Sequence, residues 1–145
     1  MDVLDPDAVA PPVDGVEAIS YLIHGTCRDD FVETDRTAAR TLGEAASAAR
    51  VGRIVYLSGL VPDVPEGGLS EHLTSRLEVE RVLTGSGVPT ITLRAAVVTG
   101  SGSTSFELVR QLSERLPAET VPSWMDTQVQ PIAVVDVCEA LAGAP

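Results

Sequence analysis

Apolar runs alternate with helical stretches four times along this chain, and that alternation restricts the fold more than any other feature. The runs cover residues 17–23, 53–60, 89–99 and 129–135. Glu17-Ala-Ile-Ser-Tyr-Leu-Ile ends at His24-Gly25, which reads as a buried strand and its exit turn. Asp29-Asp30 then caps a helix over about 31–50, in which Ala38, Leu42, Ala45 and Ala49 recur at helical spacing with Ala39 and Ala46 beside them. Side chains this small predict a helix lying close against a sheet. Arg53 to Leu60 leads into a Pro/Gly loop at 62–68, and Ser70 caps a helix that stops near Gly85-Ser-Gly87. Residues 89–99 give a third strand, 105–116 a helix, Val129–Val135 a fourth extended segment and 136–142 a short last helix. Near-continuous apolar strands separated by helices predict an α/β fold, a mainly parallel sheet of about four strands with helices on both faces.

At 145 residues, the chain is expected to form one domain over 1–145, and its 44% hydrophobic content suffices for a core. Aromatics supply only 3%, so that core rests on Ala, Val, Leu and Ile. A formal charge of −11 excludes nucleic acid and anionic membrane surfaces as partners, since both require clustered cations. Cys27 and Cys138 lie far apart in no C-x-x-C arrangement, so neither a metal site nor a disulfide framework is expected. The acidic N-terminus does not read as a secretory signal, and no apolar stretch approaches the ~18 residues of a membrane span. The expectation is a soluble cytoplasmic protein. All ten basic residues are arginine.

Three blocks carry a family resemblance. They are Thr41-Leu-Gly-Glu-Ala-Ala-Ser-Ala-Ala-Arg-Val-Gly-Arg-Ile-Val-Tyr-Leu-Ser-Gly59, Pro89-Thr-Ile-Thr-Leu-Arg-Ala-Ala-Val-Val-Thr-Gly-Ser-Gly102 and Gln130-Pro-Ile-Ala-Val-Val-Asp-Val137. In this order they resemble the short-chain dehydrogenase/reductase superfamily, particularly its extended or atypical NmrA-like and NAD-dependent epimerase-like branches. The resemblance covers about Asp2 to Ala142. It implies an incomplete Rossmann-like fold, the C-terminal part of an NAD(P)-binding domain, with NAD or NADP bound weakly or not at all by this chain alone. Asp2-Val-Leu-Asp-Pro-Asp7 is similar to the end of the family's third strand, where a carboxylate reaches the adenine. By that register the opening strand, its G-x-G-x-x-G or G-x-x-G-x-x-G turn and the following helix, which hold the pyrophosphate, are expected to be missing.

The resemblance also implies a set of site residues. Ser58 falls at the catalytic hydroxyl position ending the fifth strand. A chain without lysine cannot hold the family's Tyr-x-x-x-Lys pair. The matching stretch is His72-Leu-Thr-Ser-Arg76, with His72 at the Tyr position, Arg76 at the Lys position and Glu80 at an acidic one. Four residues apart, His72 and Arg76 share a helix face with Val79 and Leu83. His72 is thus a general acid or base, and Arg76 a holder of phosphate or ribose, or both are helix-flank residues without chemical duty. Ser58 is either the catalytic hydroxyl or a local hydrogen-bonder opening a loop. The cofactor-binding set implied is His24, Gly25, Ser58, Gly59, Arg76, Ala95, Ala96, Val97 and Val98. Asp35, where relatives often carry an Asn, reads as a solvated helix residue, and His24 also fits a plain loop histidine.

Gly100-Ser-Gly102-Ser-Thr-Ser105 follows a strand, opens a helix and misses G-x-G-x-x-G only at Ser105. Taken alone it reads as a phosphate loop; the family register makes it the loop after the sixth strand. Three functions stay open: an oxidoreductase or epimerase half that needs its complement, a silent ligand sensor, or an interaction module. In the family order strand one lies beside strand four. Its loss bares the edge of 17–23 and predicts a homo-oligomer or association there, alongside a small-molecule ligand.

Overall fold

The computed structural model describes residues 1–25, 30–63, 68–100, 102–115 and 130–144, without the side chains of residues 104, 105, 108, 109, 112 and 113. They divide into two compact units, 1–94 with Ala144, and 95–143. In the first unit the elements run α1 (Pro6–Val13), β1 (Ala18–Tyr21), α2 (Phe31–Ala48), β2 (Arg53–Gly59), α3 (Glu71–Thr84) and β3 (Thr90–Ala95). The sheet order is β1-β2-β3. β1 and β2 are parallel, with Ile19 opposite Ile54 and Tyr21 opposite Tyr56. The sheet side bearing these four residues packs under the helices. Val9 and Val13 of α1, Ala39, Leu42 and Ala46 of α2, and Val79 and Leu83 of α3 form one core with Tyr21, Ile54 and Tyr56. The alanine-rich stripe of α2 behaves as its spacing predicts: Ala38, Ala39 and Ala46 are at most 1% exposed, which lets the helix lie close to its neighbours.

The helix α1 corrects the expectation for the N-terminal residues. Asp2–Asp7 is not a strand end. Asp2 Oδ1 accepts from Leu4 N at 3.0 Å, and Asp5 caps α1 by accepting from Asp7 N at 3.0 Å. Pro6 stands at the first helical position, where its missing N–H costs nothing. Pro11 and Pro12 fall in the last turn, disguising a helix whose Val9 and Val13 are nonetheless buried. The later elements match their signals. Ser70 Oγ accepts from Leu73 N at 3.4 Å and starts α3, which ends before Gly85.

The third apolar run does not form one strand. It breaks at Ala96, leaving β3 in the first sheet and β4 (Val97–Thr99) in a separate parallel pair with β5 (Pro131–Ala133). The expected sheet of about four strands is thus a three-stranded and a two-stranded sheet, within an α/β fold. An apolar run shows that strand is buried, but not which partner it chooses. The second unit is completed by α4 (Thr104–Arg115) and α5 (Val134–Gly143). Among the described residues, no helix is long and apolar enough to cross a membrane.

Candidate functional site

The carboxyl ends of β1 and β2 are where an open α/β sheet places its ligands, and a pocket of about 250 Å³ lies there. His24 and Gly25 leave β1, Phe31 and Asp35 begin α2, and His72 and Arg76 begin α3; among the described residues these six line it. It therefore unites both of the chain's histidines with an arginine. The i, i+4 spacing on α3 places His72 and Arg76 on one helical stripe with buried Val79 and Leu83. His72 itself is exposed, and its ring stacks on Phe31 with centroids 4.7 Å apart and planes 22° apart.

Asp35 overturns the solvated reading. It is 5% exposed, and both its oxygens are engaged. Oδ1 accepts from Gly25 N at 2.7 Å, and Oδ2 accepts from the Ser75 hydroxyl, itself buried, at 2.9 Å. The carboxylate thus ties the exit of β1 to α3. The loop passes so close that a Cβ on Gly25 would lie 2.9 Å from Phe31 Cβ and 3.2 Å from Asp35 Oδ1, so only glycine fits. Neither Phe31 nor Ser75 was anticipated from the sequence. The signal was present: Phe31, Asp35, Ala38, Leu42 and Ala46 continue the buried α2 stripe back to its first turn.

At the end of β2, Ser58 is 2% exposed and its Oγ meets no hydrogen-bonding partner among the described residues. Gly59 follows, with the Arg76 stem lying across it: a Cβ there would sit 3.3 Å from Arg76 Cδ and 3.4 Å from Leu73 Cδ2. The Arg76 side chain makes no ion pair with a described residue, whereas Arg94 pairs with Glu80 at 2.9 Å and Arg36 with Glu78 at 2.8 Å. Beneath the site, Tyr21 and Tyr56 meet edge to face. Burial, followed by the charge of Asp35 and then Tyr56, pushes the Tyr21 phenol far above its ordinary range. Burial also raises the Tyr56 phenol, which the nearby Ser58 hydroxyl and the Arg76 guanidinium pull back down. The Tyr56 hydroxyl donates to the Arg76 carbonyl at 3.4 Å.

Of the residues expected at the site, His24, Gly25, His72 and Arg76 are brought together around the pocket, and Ser58 and Gly59 end the strand under Arg76. Ala95 closes β3, Ala96 separates the strands, and Val97 and Val98 open β4; these four belong to the second unit. Glu80 holds Arg94 in an ion pair. Cys138 is exposed and free, while Cys27 lies outside the described residues. In the 100–105 loop, the Ser103 hydroxyl donates to Val98 O at 2.8 Å and accepts from Phe106 N at 3.4 Å, so it caps α4. Gly100 packs against Val134, and Ser101 lies outside the described residues.

No family model and no curated protein sequence matches the chain. Solved structures do. The Bordetella bronchiseptica enzyme WbmG in complex with NAD aligns over 100% of this chain and 54% of its own, with a TM-score of 0.75 and 21% identity. A UDP-N-acetylglucosamine 4-epimerase from Bacillus cereus aligns over 96% and 57%, with a TM-score of 0.70 and 14% identity. An NADPH-dependent quinone oxidoreductase from Escherichia coli complexed with NADPH aligns over 66% and 31%, with a TM-score of 0.52 and 27% identity. The chain spans about half the length of the first two and a third of the last. Over the aligned residues the chain shares the Rossmann-like α/β fold of these solved structures.

Proposed function

We propose that these residues form the substrate-side half of a reductase or epimerase site that uses NAD or NADP, and that alone they turn nothing over. One observation carries the reading. Within a fold shared with enzymes crystallised with NAD and NADPH, His72 and Arg76 meet in a pocket at the strand ends, one helical turn apart. His72 acts as the general acid or base, since imidazole exchanges protons near neutrality. Arg76 stays charged and holds an oxygen-bearing group. Ser58 supplies the hydroxyl at the end of β2, Gly59 lets Arg76 approach, and His24 and Gly25 line the β1 exit. The work is done in the cytoplasm.

A pyrophosphate without a glycine-rich turn loses its backbone N–H donors. Binding of NAD or NADP to this chain by itself is therefore expected at a Kd of about 1 mM or weaker. Calorimetry returning low-micromolar affinity would defeat that expectation and point to the 100–105 loop as a phosphate site. Fusing a glycine-rich strand–turn–helix half ahead of Met1 is the test of catalysis. Turnover should then appear, and His72→Ala should reduce it far more than Glu71→Ala. Equal losses would leave His72 a helix-flank residue.

A second reading, a non-catalytic ligand-sensing or interaction module, draws support from the sheet order. β1 ends the described sheet, and Leu22 and Ile23 just beyond it are 49% and 37% exposed. An edge without Lys or Pro invites another strand. Light scattering decides this reading: a concentration-independent monomer removes it.

A further inference from the structure

The hydrogen-bonding groups around the pocket are unevenly satisfied. Among its described lining residues the one carboxylate, Asp35, is buried with both oxygens already accepting. Its guanidinium, Arg76, offers a planar fork of N–H donors and has no carboxylate partner among the described residues. His24 and His72 stand beside it, both exposed. In a chain of formal charge −11, this pocket presents an arginine and both histidines, while Asp35, the acid among its described lining residues, is already engaged. Among the described residues, what Arg76 lacks is an acceptor. The second feature is flatness: Phe31, 8% exposed, backs the exposed His72 ring from one side. A planar ligand can extend that stack, as aromatic rings do at offset separations.

We propose that this pocket binds a small planar carboxylate of one ring, its carboxylate on Arg76 and its ring against His72. The inference rests on reading the pocket as the substrate end of the proposed site, and it names the class of substrate. A pocket of about 250 Å³ admits one ring with its substituents. A guanidinium engages a carboxylate through two parallel N–H bonds, which a neutral amide cannot match. The position across Gly59 matters because the Arg76 stem lies against that backbone, which limits where the fork can reach.

The test uses the whole chain and three probes in calorimetry: benzoate, its neutral isostere benzamide, and inorganic phosphate. Benzoate should bind at least ten-fold more tightly than either of the others. Arg76→Gln should weaken benzoate at least ten-fold, and exposed Arg40→Gln should leave it unchanged. Should Arg76→Gln fail to fold, Gly59→Ala serves instead, since its methyl presses on the Arg76 stem and should weaken benzoate. Benzamide binding as well as benzoate, phosphate matching it, no benzoate binding at all, or loss of benzoate binding in Arg40→Gln each overturns the proposal. Benzoate binding needs no dinucleotide, so loss of turnover in the fused enzyme would leave this inference standing. Absence of benzoate binding would equally leave the dinucleotide reading untouched.

Discussion

Replacing Asp35 by Ala removes a bridge between the β1 exit and α3. Two hydrogen bonds to a charged acceptor are lost, at 2.7 Å and 2.9 Å, each contributing about 1.5–3 kcal/mol. Against that, the buried carboxylate no longer has to be held out of water, which returns a large part of the sum. The orphaned donors then decide the balance. The Ser75 hydroxyl can turn to a carbonyl four residues back in its own helix, while the partly buried Gly25 N–H loses the acceptor it holds at 2.7 Å. We expect a net loss of about 2–3 kcal/mol for Asp35→Ala, and about 1 kcal/mol for Asp35→Asn, which keeps an acceptor for Gly25 N. Ser75→Ala should cost about 1–2 kcal/mol, and the double variant should be non-additive by about 1 kcal/mol. Urea denaturation read as midpoint and slope gives all four values. An Asp35→Ala protein within about 0.5 kcal/mol of the original, or strict additivity with Ser75→Ala, would refute the bridge.

Gly25→Ala should destabilise by about 1–3 kcal/mol, because its methyl would meet Phe31 Cβ at 2.9 Å and Asp35 Oδ1 at 3.2 Å; an unchanged urea midpoint counts against that packing. Leu22→Lys, at an exposed position beside the edge of the described sheet, should lower the apparent mass by light scattering if copies associate through 17–23, and unchanged association would place the contact elsewhere. Glu107 is held at about 2 by its hydrogen bonds to Arg110 and then Gln111. Its folded-state value lies below the ordinary 4.5, so its support of α4 is complete above pH 4.5 and fades as pH falls toward 2. A carboxyl NMR titration with a midpoint near 4.5 would remove that interaction.

Much of this architecture is legible in the sequence because local and tertiary signals agree. Ser70 before α3, the alanine stripe of α2 and the apolar run of β2 each point to the structure that forms. The failures have physical causes. Pro11 and Pro12 mask α1, because proline is read as a breaker although the last turn of so short a helix forgoes few hydrogen bonds. The division of 89–99 at Ala96 depends on which segment pairs with each half, which periodicity along one strand does not encode. Asp35 misled for another reason. A charged residue in a helix is usually solvated, and only its place on the stripe of Phe31, Leu42 and Ala46 marks it as buried. His72 and Arg76 were visible as an i, i+4 pair, whereas the Phe31 ring behind His72 required the fold.

The edge-to-face pair of Tyr21 and Tyr56 holds the only two tyrosines in the chain, paired in register across β1 and β2 with centroids 5.7 Å apart. Both phenols resist ionisation where they lie. The ultraviolet signature of tyrosinate therefore becomes an optical gauge of this one strand pairing. As alkali is added, the absorbance should stay silent past the pH at which free tyrosine ionises, then rise in a single step when β1 and β2 separate. Nothing has to be attached to the chain to follow that event.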